Sequence, residues 1–174
     1  GSKGVETGLG SLVNPGRDST AVTVVEVDLE TLQDPVIRAP SYRVVHRLEW
    51  TGTPHTALYG RLRGLVEHWQ PRYAVVDATG VGHGLAGFLS SAYPKIVVPF
   101  TFTAKSKSDL GWGFLAIIES GRYAEYNPAA GDSALRASQL ALQERFWSQA
   151  GHCQHQVLGG AGRMGRWSVP EGTR

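Results

Sequence analysis

The sequence predicts an α/β domain built on a mixed sheet, antiparallel at its start and parallel later, with helices on its faces. Two β-branched runs, 21–28 and 42–50, are joined by a connection too short for a helical crossover, so they read as antiparallel neighbours. Apolar residues at helical spacing then alternate with short apolar runs, the pattern of helices crossing between parallel strands. One of those runs, Tyr73-Ala74-Val75-Val76-Asp77, ends in a carboxylate and opens a glycine-rich turn. Open α/β sheets place their chemistry at such strand ends.

Residues 1–17 read as loop, closed by the turn signal Asn14-Pro15-Gly16. After the two opening strands, Thr53-Pro54 predicts a helix start, with Thr53 as N-cap and Pro54 in the first helical position. Leu58, Leu62, Leu65, Val66 and Trp69 give that helix its apolar face. A buried strand ending at Asp77 follows, then a helix from about 84 to 93 with Leu85, Phe88 and Leu89. Ile96–Phe100 reads as another buried strand. Ser106 or Ser108 is expected to cap a third helix carrying Leu110, Phe114, Leu115, Ile117 and Ile118, with Trp112 and Phe114 read as core. A fourth helix is expected over 132–148, then weak strands at 153–158 and 166–169.

The bulk numbers agree with one domain. The chain has 174 residues, 41% of them hydrophobic and 18% charged, enough for a packed core. Its net charge of +2 neither requires nor excludes nucleic acid, for which a local basic stripe matters more. The single cysteine, Cys153, excludes an internal disulfide framework and fits a reducing compartment. No apolar run approaches the roughly 20 residues that span a bilayer, so no membrane partner is expected.

Asp77 is the leading candidate for chemistry. A carboxylate at a strand end can anchor Mg2+ or Mn2+, hard ions that take oxygen ligands. Two such ions about 3.5–4 Å apart can clamp the attacking and leaving oxygens of a phosphodiester, and several carboxylates must then balance their charge. Glu6 and Asp18 are the candidate helpers. The competing reading of Glu6 is a solvated loop acid, and that of Asp18 an Asx turn with Ser19 and Thr20. Lys105, Ser106 and Lys107 lie before an expected helix N-terminus, a setting for DNA phosphate or for ordinary capping. The turn Gly80-Val81-Gly82-His83-Gly84 does not make a dinucleotide loop: its third glycine comes one residue early, and no acid ends the next strand. The His152-Cys153-Gln154-His155 run lacks a second cysteine for structural zinc, and no G-x-S-x-G elbow is present.

Several segments in order carry a family resemblance: Asn14 to Ala21, Val75 to Leu85, Val98 to Phe102, Ser106 to Leu110 and Ile118 to Tyr123. In this series, which runs from about residue 14 to the chain end, the sequence resembles the nuclease domain of phage terminase large subunits. The resemblance implies a ribonuclease H-like fold and a metal-dependent endonuclease that cuts phage DNA during packaging. It implies double-stranded DNA, a terminase ATPase domain and the portal or procapsid as partners, and a phage or prophage protein acting in the host cytoplasm. No Walker A signature occurs in this chain. The family site uses three acids. Asp77 matches the second, Glu6 is the nearest match to the first, and the third is expected beyond residue 174, with Asp132 or Glu144 as the substitutes inside the chain. The alternative is a catalytically degenerate ribonuclease H-like module that binds DNA or a packaging partner.

Overall fold

The computed structural model describes residues 19–80, 82–125, 133–157 and 165–168. The chain divides into two compact units, residues 1–20 with 50–102, and residues 21–49 with 103–174.

The first unit is a βαβ arrangement preceded by a helix. Helix α1, His55–Trp69, begins one residue later than expected, with Pro54 as N-cap and no side-chain cap bond. It ends where Gln70 turns left-handed at φ 44° and donates its N–H to the Val66 carbonyl, and Pro71 prevents continuation. Strand β3, Ala74–Asp77, pairs in parallel with β4, Val97–Phe100, and helix α2, Gly82–Ala92, crosses between them. Among the described residues, those buried in this unit are apolar: Leu58, Ala78, Ala86, Leu89 and Val97.

One expectation needs correction here. The strand before Asp77 is not buried on both faces. Side chains alternate along β3, and α2 packs on one face only, so Val76 is half-buried while Val75 is 67% exposed. Phe88 of α2 faces outward. Positions 86 and 89 take the buried stripe of α2, and the Phe88 ring lies edge-on to Tyr59 at 6.4 Å.

The second unit is built on a three-stranded sheet in the order β1-β2-β5. Strand β1, Ser19–Asp28, neighbours β2, Ser41–Thr51. Side-chain contacts Ser19–Thr51, Thr23–Arg47 and Glu26–Arg43 run in opposite chain directions, which fixes the pair as antiparallel. Strand β5, Tyr123–Ala124, pairs in parallel with β2, placing Tyr42 beside Tyr123. The sheet is therefore mixed, as expected, although so short a strand left no pattern in the sequence.

Helix α3, Ala104–Glu119, starts earlier than expected because its N-cap is Thr103, not Ser106 or Ser108. Helix α4, Ser133–Gly151, leads into an antiparallel hairpin of β6, Gln154–Val157, and β7, Gly165–Ser168. That hairpin packs on α3. Trp112, expected in the core, is instead 43% exposed. It meets His155 and Trp167 at ring distances of 5.0 and 5.8 Å. A Cβ at Gly111 would run into the Trp167 indole, so only glycine lets that ring lie against the helix.

Among the described residues, those buried in the second unit are largely polar. Arg47 pairs with Glu125 at 2.6 Å and donates to the Tyr123 hydroxyl at 2.9 Å, and its guanidinium lies 4.1 Å from the centre of the Phe146 ring. Gln139 of α4 accepts the Arg47 backbone N–H at 3.1 Å and donates to the Arg47 carbonyl at 2.8 Å. A side-chain amide thus takes the place of a strand partner at that point of β2. No helix among the described residues is long and apolar enough to cross a membrane.

Candidate functional site

Asp77 is the last residue of β3, opposite Phe100 of β4. The pair continues one step past it, since the Ala78 N–H donates to the Phe100 carbonyl at 2.8 Å. The chain then turns sharply. Asp77 Oδ1 accepts the Thr79 N–H at 2.8 Å, and the Thr79 hydroxyl oxygen accepts the Phe102 N–H at 2.9 Å. Gly80 takes φ 58°, a left-handed conformation that glycine adopts freely. Gly82 then starts α2 so close to the strand that an added Cβ would sit 2.5 Å from the Asp77 carbonyl oxygen. Gly84 faces open space. Two of the three glycines are therefore required by the backbone, and they bring the start of α2 against the strand end.

The Asp77 carboxylate is exposed to solvent, so its charge needs no buried counterion. One oxygen is oriented by the Thr79 amide, and Oδ2 has no hydrogen-bonding partner among the described residues. A divalent ion takes about six oxygens. The described residues hold no group of three or more His, Cys, Asp or Glu that could bind a metal. They offer one anchor and not a complete ligand set. Glu6, Asp18 and Asp132 lie outside the described residues, and Glu144 is exposed on α4 of the second unit.

The basic candidates belong to the first turns of α3, in the second unit. They lie within the helix, not in a loop before it. Thr103 and Ser106 form a capping box: the Ser106 N–H donates to Thr103 Oγ1 at 3.1 Å, and the Thr103 N–H donates to Ser106 Oγ at 2.8 Å. The Ser106 hydroxyl is thus engaged in holding the helix start. Lys105 is exposed and reaches Asp109 one turn on at 2.6 Å. Lys107 is exposed as well.

Sequence reasoning missed the Arg47–Glu125–Tyr123 cluster. Its members are 76 and 78 residues apart from Arg47 and share no local motif. No local signal marked Arg47, because the same strand also carries Arg43, His46 and Glu49. Burial, then the hydrogen bond to Glu125, pushes the Tyr123 phenol up to about 12.

Comparison with known proteins follows the same outline. Two curated relatives match in part. One is the "Probable terminase, ATPase subunit" of Haemophilus phage HP1 (strain HP1c1), 24% identical over 88 residues, which is 51% of this chain and 14% of that protein. Another is the "Terminase, ATPase subunit" of Escherichia phage P2, 32% identical over 63 residues, which is 36% of this chain and 11% of that protein. The chain therefore covers a small part of either relative. No solved structure matches. The terminase RNaseH-like domain family matches residues 12–135, well over half of the chain and inclusive of β1 through α3, the Asp77 turn and β5. With its α/β mixed sheet and the carboxylate at the end of a parallel strand, the chain belongs to the terminase RNaseH-like domain family.

Proposed function

We propose that this chain is the nuclease part of a phage or prophage DNA-packaging terminase, a metal-dependent endonuclease acting on double-stranded DNA. The observation that carries the reading is the exposed Asp77 carboxylate, oriented by one backbone N–H and otherwise open, at the carboxyl end of a parallel strand. Asp77 would anchor Mg2+ or Mn2+ with acids such as Glu6 and Asp18. When bound, such ions supply an activated water and charge stabilisation for the leaving oxygen. Thr79 fixes the carboxylate's direction, and Gly82 keeps the space beside the strand end clear. Lys105 and Lys107 would contact the DNA backbone, with Ser106 holding the turn that presents them. The partners would be a terminase ATPase domain and the portal or procapsid, in the host cytoplasm.

Plasmid nicking in Mn2+ or Mg2+ tests this, comparing the native chain with Asp77→Asn. Asparagine keeps the oxygen that accepts from Thr79 while removing the charge, so the turn persists. Nicking should fall at least a hundredfold; equal nicking by both proteins removes Asp77 from the mechanism.

The alternative is a catalytically degenerate ribonuclease H-like module that binds DNA or a packaging partner. Calorimetry with Mn2+ separates the two. Binding that Asp77→Asn removes supports the nuclease, and no binding by the native chain supports the module.

A further inference from the structure

The connection between β1 and β2 carries an inference independent of the nuclease reading. Residues 29–40 join the strands, and a 3-10 turn at Glu30–Leu32 lies within them. The segment is hydrogen-bonded to itself. Asp28 Oδ1 accepts the Glu30 N–H at 2.8 Å, and the Thr31 hydroxyl donates to the Ala39 carbonyl at 2.8 Å. Asp34 Oδ1 accepts the N–H groups of both Val36 and Ile37 at 2.8 Å, which holds its carboxyl below the usual carboxylate range. Arg38 sits at φ 48°, a conformation non-glycine residues avoid, so contacts and not local preference set the path.

This ordered segment displays its apolar side chains to water. Val36 is 87% exposed and Leu29 55%, and Leu32 and Ile37 are exposed beside them. Small proteins seldom present such a group on a built surface without an interaction to serve. At its root lies a cavity of about 650 Å³, lined in part by Val27, Asp28, Leu29, Glu30 and Tyr42. Arg43 and Arg122 also line it, whereas the β1–β2 connection itself is one-sided in charge. From 26 to 38 there are four carboxylates, Glu26, Asp28, Glu30 and Asp34, against the single guanidinium of Arg38, in a chain whose net charge is +2. Glu26 is paired with Arg43. The other three acids have no ion pair among the described residues.

We propose that the β1–β2 tip is a docking surface for a peptide segment of another protein in which apolar side chains alternate with lysines or arginines. The apolar residues would cover Leu29, Leu32, Val36 and Ile37, and the basic ones would meet Asp28, Glu30 and Asp34. Because the tip is already ordered, little conformational freedom is lost at this side of the contact. The same acids repel a phosphate backbone, so DNA is not the ligand of this face.

The test uses the full chain, isotope-labelled, with a synthetic amphipathic leucine–lysine peptide as probe and its leucine–glutamate counterpart as control. Amide shifts on adding the leucine–lysine peptide should cluster within 26–43, and the glutamate peptide should leave them in place. Val36→Asp should bind about tenfold more weakly, with an unchanged unfolding transition because that side chain touches little. Glu30→Lys, a change of charge at an exposed position, provides a second variant with the same expected direction. Wild-type binding by both variants would overturn the proposal, as would shifts centred elsewhere or displacement of the peptide by duplex DNA. So would a concentration-dependent dimer that Val36→Asp dissolves, which would make a second copy the occupant.

Discussion

Asp77 and Glu125 are both carboxylates just at or beyond the end of a parallel strand, and their surroundings differ in every respect that matters. Asp77 lies in the open and gives one oxygen to a backbone N–H. The Glu125 side chain is 12% exposed, and its Oε1 accepts from both Arg47 and Tyr123. A buried carboxylate needs a fixed cation, which Arg47 supplies, and the second oxygen of Glu125 is buried without a hydrogen-bond partner among the described residues, away from water. A solvated carboxylate needs no such partner, and its second oxygen meets solvent. Position at a strand end is shared by both; access to solvent separates the candidate for chemistry from the structural member.

The largest expected effect breaks the buried side of that contrast. Arg47→Met leaves the Glu125 charge without its partner and should lower unfolding free energy by about 3–5 kcal/mol, read from urea denaturation. Asp77→Asn should change it by no more than about 0.5 kcal/mol. Similar losses for both would mean that Asp77, too, is a structural acid. Next, Gly82→Ala should cost about 1–3 kcal/mol, because its methyl group must displace the Asp77 carbonyl, whereas Gly84→Ala in open space should be neutral or stabilising. Calorimetry should also show Gly82→Ala weakening divalent binding.

A pH prediction follows from Tyr123. Its folded phenol titrates near 12, above the ordinary value of 10, so the folded state holds that proton more tightly than the unfolded chain does. The associated stability is fully present below pH 10 and lost as pH rises toward 12. Tyr123→Phe should flatten that part of the stability profile. The smallest effect concerns Lys105 and Asp109, an exposed pair with the same charges as Arg47 and Glu125. Lys105→Ala should shift stability by less than about 1 kcal/mol, while lowering the salt slope of DNA binding by about one.

Much of this was legible in the sequence where local chemistry decides the outcome. The hydrophobic run closed by Asp77 and followed by glycines gave both a strand and its turn, and the spacing of Leu58, Leu62, Leu65 and Val66 gave the inward face of α1. The start of α3 was misplaced because Thr103, Ser106 and Ser108 all suit a cap. The capping box chose Thr103 and made Ser106 its reciprocal partner. Apolarity alone predicts Trp112 in the core, but a helix has room inside for only part of its apolar set. The Arg47 cluster and β5 depend on contacts between distant segments, and no window of sequence contains both halves. Of the candidate site, Asp77 and the lysines have described positions, and the complete set of metal ligands does not lie within the described residues.

Gly111 has a wider bearing than its size implies. The Trp167 ring uses the missing side chain as a notch, so the final hairpin can seat at a single level along α3. Filling the notch with alanine, or sliding it by one residue, would leave both pieces intact and the lock between them without its keyway.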